Sequence, residues 1–208
     1  MTREEEKAVI QRVLAGETEL FEALVKAHEK NVYSLALRML DGNHEDAMDA
    51  SQEAFFRAFR ALGSFRGDSK FSVWLYRLTS NVCLDMLRKS SRLREDSLTE
   101  EEGGELAVPD VRFDPQTELE RRELRQAVRE GVNALPPTFR QALVLRDVNG
   151  LTYEEIAQVT GLEEGTVKSR IFRARRKLAT LLMKDGNISD PEPSYTSAEK
   201  GGAADGKL

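Results

Sequence analysis

Residues 165–179 hold six basic side chains, Lys168, Arg170, Arg173, Arg175, Arg176 and Lys177, and no acidic one. Guanidinium and ammonium groups at this density neutralise phosphates. Arg and Lys can also donate to base edges, and the hydroxyls of Thr166 and Ser169 can reach either kind of partner. This is anion-binding chemistry. It is easily missed in the whole chain, whose 208 residues carry a formal net charge of −5. The acidity is local: residues 92–118 contain nine acidic residues against three basic ones. Charge distribution therefore points to a polyanionic partner where the total does not.

The residue types that bond-making chemistry requires are not assembled in the same way. Cys83 is the only cysteine and stands far from His28 and His44 in sequence, so no zinc-ligand spacing arises and no internal disulfide can form. Cys83 reads as a buried helix-face residue. No glycine-rich phosphate loop or nucleophile elbow is present, and carboxylates such as Asp46 and Asp49 have no partner that suggests acid–base work. The expectation is a protein that is not an enzyme, needs no cofactor or metal, and takes no small-molecule substrate.

Those side chains must be carried by helices. Hydrophobic residues make up 40% of the chain and aromatics 7%, and no run of alternating β-branched residues suggests a sheet, so the fold class is all-α. Thr2 and Glu5 have capping-box spacing and start a helix that Gly16 ends; Thr18 opens a second with an apolar face from Leu20 to Met39. After the turn 41–43 a third helix covers about 44–62. A fourth covers about 70–89, with Phe71, Trp74, Leu75, Leu78 and Val82 turned inward. Phe55 and Phe59 read as core. Residues 1–90 thus form one four-helix unit. Residues 91–114 lose periodicity and read as a flexible acidic linker, and residues 185–208 read as a disordered tail. Helical pattern returns over 115–184, a second four-helix unit, with Pro115 as a first helical residue, Pro136-Pro137 as a break, and Thr138 with Gln141 as a cap for a short helix.

Within the second unit, Thr152 and Glu155 form another capping box. The helix they open carries Ile156, Ala157 and Val159 and stops at Gly161, and a basic helix follows. A helix, a turn and a helix within about twenty residues is helix-turn-helix grammar. Ile156, Leu162, Val167 and Ile171 fill the seam, leaving Thr166, Lys168, Ser169, Arg170 and Arg173 outside. Such a helix enters the major groove N-terminus first; Lys168, Ser169 and Arg173 suit base edges, and Arg170, Arg175, Arg176 and Lys177 suit phosphates. A helix-turn-helix alone fits a conventional regulator that binds a palindromic operator unaided. The first unit has to decide.

Residues 49–55, Asp-Ala-Ser-Gln-Glu-Ala-Phe, continuing to Phe59, resemble region 2.2 of sigma factors, and residues 65–81 resemble the adjoining regions 2.3 and 2.4. Residues 165–175 resemble region 4.2. Together these are similar to the compact extracytoplasmic-function sigma factors. The resemblance implies a subunit that binds core RNA polymerase and reads promoter DNA, −35 as duplex and −10 as a melted strand. Asp49, Gln52, Glu53 and Phe56 would then dock on the clamp helices of the largest polymerase subunit, and the second unit on the flap. Phe65, Arg66, Gly67, Asp68, Ser69, Arg77, Asn81, Arg88 and Lys89 would hold the −10 strand. An unstacked base needs a pocket, amides and backbone cations. The resemblance also implies control by an anti-sigma factor, often membrane-anchored. Glu163 and Glu164 depart from the family pattern, repelling phosphate while suiting a helix N-terminus.

No apolar stretch reaches the roughly 20 residues of a membrane span, and the N-terminus opens a charged helix in place of a signal peptide. The expected location is the cytoplasm, on the nucleoid when active or held at the inner membrane by an anti-sigma factor.

Overall fold

The computed structural model describes residues 1–96 and 115–184, and these are carried by eight α-helices with no strand among them. The first four are α1 (Arg3–Leu14), α2 (Phe21–Met39), α3 (His44–Ala61) and α4 (Phe71–Asp96). Thr2 and Glu5 form the reciprocal box that starts α1. Asn43 starts α3 by accepting from the amides of Glu45 and Asp46 at 3.0 and 3.1 Å. Both devices satisfy amides that the first turn leaves unpaired. Thr18 opens a short 3₁₀ turn, Thr18–Leu20, from which α2 continues.

α2 buries Leu24, Val32, Leu35, Ala36 and Met39, and α3 answers with small residues, Ala47, Ala50, Ala54 and Ala58. That stripe lets α3 lie close to α2 and α4, whose inner face brings Phe71, Trp74, Leu75 and Val82. Each fully buried Leu or Phe contributes about 1.5–3 kcal/mol. The helix carrying Trp74 runs to Asp96, so residues 91–96, expected in the linker, extend α4. The remaining linker and tail expectations, 97–114 and 185–208, lie outside the described residues. Phe59 is not core: its ring packs edge-on against Phe21 at 5.1 Å, yet 41% of the residue remains exposed.

The second unit comprises α5 (Pro115–Asn133), α6 (Pro137–Leu143), α7 (Tyr153–Thr160) and α8 (Glu164–Lys184). α6 has Pro136 at its N-cap and no side-chain capping bond, so Thr138 and Gln141 do not cap it; Gln141 is buried instead. Prolines at this end lack an amide that would need a partner. α6 continues into a π turn, Val144–Val148, that re-aims the chain toward α7. Gly131 marks the crossing of α5 and α8, since a Cβ there would lie 2.6 Å from Leu178 Cδ1.

The two units are not independent. One apolar cluster runs from α2 and α4 through Val144, Leu145, Leu151, Ile156, Val159, Val167 and Ile171. α7 packs on α4 as well as on α8, and α6 and the π turn lie against α2. Leu135, Leu143 and Ala174 form a smaller cluster inside the second unit.

The turn between α7 and α8 depends on Gly161, which closes α7 at φ 70°, in the left-handed region. Gly161→Ala adds a Cβ there at a cost of about 1 kcal/mol. We expect a melting temperature lower by about 2–4 °C, measured by circular dichroism; an unchanged midpoint would mean that the turn relaxes freely.

Candidate nucleic-acid interface

The basic helix sorts into two sides once it is folded. Val167, Ile171 and Ala174 are buried where α8 packs on α6 and α7, with Ala174 against Leu135 and Leu143. Thr166, Ser169, Arg173 and Arg176 lie at steps of three and four residues along one exposed stripe. Arg173 and Arg176 have no acidic partner among the described residues, which leaves both free for phosphate or base edges. Four of the other groups expected to meet DNA are engaged elsewhere or recessed. Arg175 turns toward Asp147 in the π turn and forms a two-point ion pair, with Nε to Oδ2 at 3.1 Å. The hydrogen bond that Arg175 donates to Asp147 holds its guanidinium above the ordinary pKa. Lys168 pairs with Glu164 at 2.6 Å and lies over the Tyr153 ring, Lys177 sits over Phe139, and Arg170 is half-buried. Glu164, a departure from the family pattern, thus neutralises a neighbour within its own helix.

α7 is positioned for this task by its capping box and by Arg146, which donates to the Leu151 carbonyl at 2.6 Å and lies 4.7 Å over the Tyr153 ring. Phe172 is 68% exposed beside the stripe.

In the first unit, Arg77, Asn81, Arg88 and Lys89 all reach solvent from α4, and Asn81 sits on the exposed side as its poor helix propensity suggests. Arg88 shares Asp85 with Arg57, at 3.2 and 3.7 Å. Arg66, Gly67 and Asp68 are exposed and Ser69 half-buried in the loop before α4. Phe65 serves differently from the others, because its ring packs on Phe71 and Trp74 at 5.5 and 5.3 Å and so forms the floor of the loop.

Opposite this loop stands α1, which sequence reasoning left out. A cleft of about 360 Å³ opens between them, with Arg3, Lys7 and Gln11 on the α1 side and Phe65, Arg66 and Gly67 facing them. Arg3 Nη2 donates to the Gly67 carbonyl at 3.3 Å, and His28 Nε2 holds Glu6 at 2.8 Å beneath. The i, i+4, i+8 spacing of Arg3, Lys7 and Gln11 was visible in sequence. It reads as an ordinary solvated face until the loop is known to lie across from it.

On α3, Asp49, Gln52, Glu53 and Phe56 share one exposed face; Phe56 is 54% exposed with Arg60 5.1 Å over its ring, and Glu53 pairs with Arg57 at 2.6 Å. Cys83 is fully buried, and burial pushes its thiol up to about 12. Among the described residues no group of His, Cys, Asp and Glu could hold a metal ion, and no helix is long and apolar enough to cross a membrane.

Comparison with known proteins agrees with this geometry. Residues 24–93 match the model of Sigma-70 region 2 and residues 125–178 that of Sigma-70 region 4. The chain belongs to the sigma-70 family and is an extracytoplasmic-function sigma factor of the two-domain type. It is 38% identical over 183 residues to the RNA polymerase sigma-H factor of Pseudomonas aeruginosa, covering 86% of this chain and 94% of that one. Identity to the sigma-E factor of Escherichia coli K12 is also 38%, over 180 residues, covering 83% and 92%. Its fold is similar to that of the sigma factor RpoE from Bartonella quintana, solved with the anti-sigma factor NepR (TM-score 0.64, 26% identity, 79% of this chain and 98% of that one).

The free and engaged arginines should separate experimentally. Arg173→Ala is expected to weaken binding to duplex DNA by about 1–3 kcal/mol and to lower the salt slope by about one if its contact is a phosphate. Arg175→Ala, removing a half-exposed ion pair, costs up to about 1 kcal/mol of stability and leaves the salt slope unchanged. Fluorescence anisotropy at several salt concentrations, with thermal melts alongside, measures both.

Proposed function

We propose that this protein directs core RNA polymerase to promoters carrying paired −10 and −35 elements, and contributes no catalytic step of its own. The observation that carries the reading is the exposed α3 face of Asp49, Gln52, Glu53 and Phe56. Carboxylates and an amide around an aromatic suit docking against a basic helical partner, and a regulator acting alone has no use for such a face. That face meets the clamp helices of the largest subunit, and the second unit meets the flap.

The duplex −35 element is read by Thr166, Ser169, Arg173 and Arg176, with Lys168, Arg170 and Lys177 at the margins of the contact. Once the −10 element melts, an unstacked base enters the cleft before α4. Phe65 supplies its apolar floor, Arg66, Gly67, Asp68 and Ser69 its polar edge, and Arg3, Lys7 and Gln11 its far wall. Arg77, Arg88 and Lys89 follow the backbone and Asn81 hydrogen-bonds a base. Residues 97–114 join the domain that ends with α4 to the domain that begins with α5. An anti-sigma factor, as in the Bartonella complex, holds the protein inactive, either in the cytoplasm or at the inner membrane.

Run-off transcription with core polymerase tests the whole reading: a promoter-specific transcript is expected, and tight operator binding without polymerase would favour a conventional regulator instead. Asn81→Ala should reduce strand opening, measured by permanganate reactivity, about tenfold while changing duplex retardation less than twofold. Equal losses in both would remove Asn81 from the melted-strand site.

A further inference from the structure

The cleft between α1 and the loop 65–69 contains a group that a polyanion should avoid. Glu6 lines it from the α1 side, among Arg3, Lys7 and Gln11. For phosphate alone the cations Arg3, Lys7 and Arg66 would suffice, and a carboxylate beside them repels the strand they attract. Nor is Glu6 an ordinary solvated charge, since only 13% of its side chain is exposed. Glu4, at the same cleft, is by contrast open to water.

The surroundings of Glu6 restrict what it can do. A carboxylate oxygen only accepts, so His28 Nε2 carries the proton of the 2.8 Å hydrogen bond that it donates to Oε1. His28, with 10% of its side chain exposed, lies against the Phe71 ring at 5.4 Å, and Phe71 packs in turn on Phe65 at 5.5 Å. The carboxylate and the aromatic floor of the cleft therefore belong to one packed group. Its second oxygen, Oε2, has no donor among the described residues. In water it needs none. Once an entering base displaces that water, an ionised oxygen left without a donor is costly.

This condition sorts the four bases by one exocyclic group. Cytosine and adenine carry an amine, N4 or N6, where thymine and guanine carry a carbonyl oxygen, O4 or O6. An amine against Oε2 replaces the lost water with a charge-assisted hydrogen bond, whereas a carbonyl there sets oxygen against negative charge. Beside the amine, both amino bases offer a ring nitrogen that accepts. Lys7 and the Gln11 amide, on the same wall, can donate to it. One acceptor among donors complements an amino base and opposes a keto base.

Resting on the sigma-factor reading and on the entry of a −10 base into this cleft, we propose that Glu6 selects that base. Its free oxygen accepts the exocyclic amine of an unstacked cytosine or adenine and discriminates against thymine and guanine. His28 holds the other oxygen, which keeps the free one available to the cleft. Specificity for one letter of the melted strand thus resides on α1, apart from the loop and from α4.

Run-off transcription by holoenzyme reconstituted with core polymerase tests this on a promoter that it transcribes, with each non-template base of the −10 element replaced in turn. At one position, cytosine or adenine should give about tenfold more transcript than thymine or guanine. The replacement series shows which of the two amino bases is preferred. At that position 2-pyrimidinone in place of cytosine, or unsubstituted purine in place of adenine, removes only the amine and should cost the unaltered protein about tenfold. Glu6→Gln keeps an oxygen for His28 and turns an amide NH₂ toward the base. It should erase the preference and lose less than about twofold on removal of the amine. Should Glu6→Gln fail to fold, the amine-free bases still decide with the unaltered protein. Equal transcription with and without the amine at every −10 position, or an unchanged base preference in folded Glu6→Gln, would overturn the role of Glu6 and leave the sigma-factor reading intact. A protein that starts no promoter-specific transcript with core polymerase would overturn that reading itself.

Discussion

A helical unit of 70 to 90 residues has little interior, and the arrangement follows from that shortage. α7 is only eight residues long, below the length at which a helix persists alone in water. Ile156 and Val159 are buried because α4 closes one side of α7 while α8 closes the other. α4 pays in turn by being buried on two sides, with Trp74 and Leu75 in the core and Tyr76 near Asn149 in the second domain. The helix that follows the loop 65–70 and the helix that supports α8 are therefore neighbours through one shared core.

Electrostatics then divides the labour within that frame. Asp147, Glu164 and Glu155 each capture a cation that composition alone would assign to nucleic acid: Arg175, Lys168 and Lys70. Such exposed pairs add little stability. Their effect is one of selection, because Arg173 and Arg176, which have no carboxylate partner among the described residues, lie on the outward stripe of α8. The acidic total of the chain and the basic stripe on α8 are thus compatible.

Buried cation geometry matters most at Arg140. A guanidinium with about five donors in a fixed fork can serve carbonyls from two helices at once, which lysine could not do. Its position on α6, behind two prolines that prevent an earlier start to the helix, gives it the reach to the end of α2. The left-handed Asp41 completes the contact with its carboxylate.

The capping boxes at Thr2 and Thr152, the Gly161 turn, the buried Trp74 and Cys83, and the outward faces of α3 and α8 were all determined by the sequence itself, because each depends on spacing within a single helix or turn. The engagement of Arg175 by Asp147, the partial exposure of Phe59, the wall that α1 raises opposite the loop 65–69, and the contacts of Arg140 with both domains were decided only in three dimensions. Each of these joins residues 22 to 101 positions apart, and periodicity carries no information about a partner on another helix.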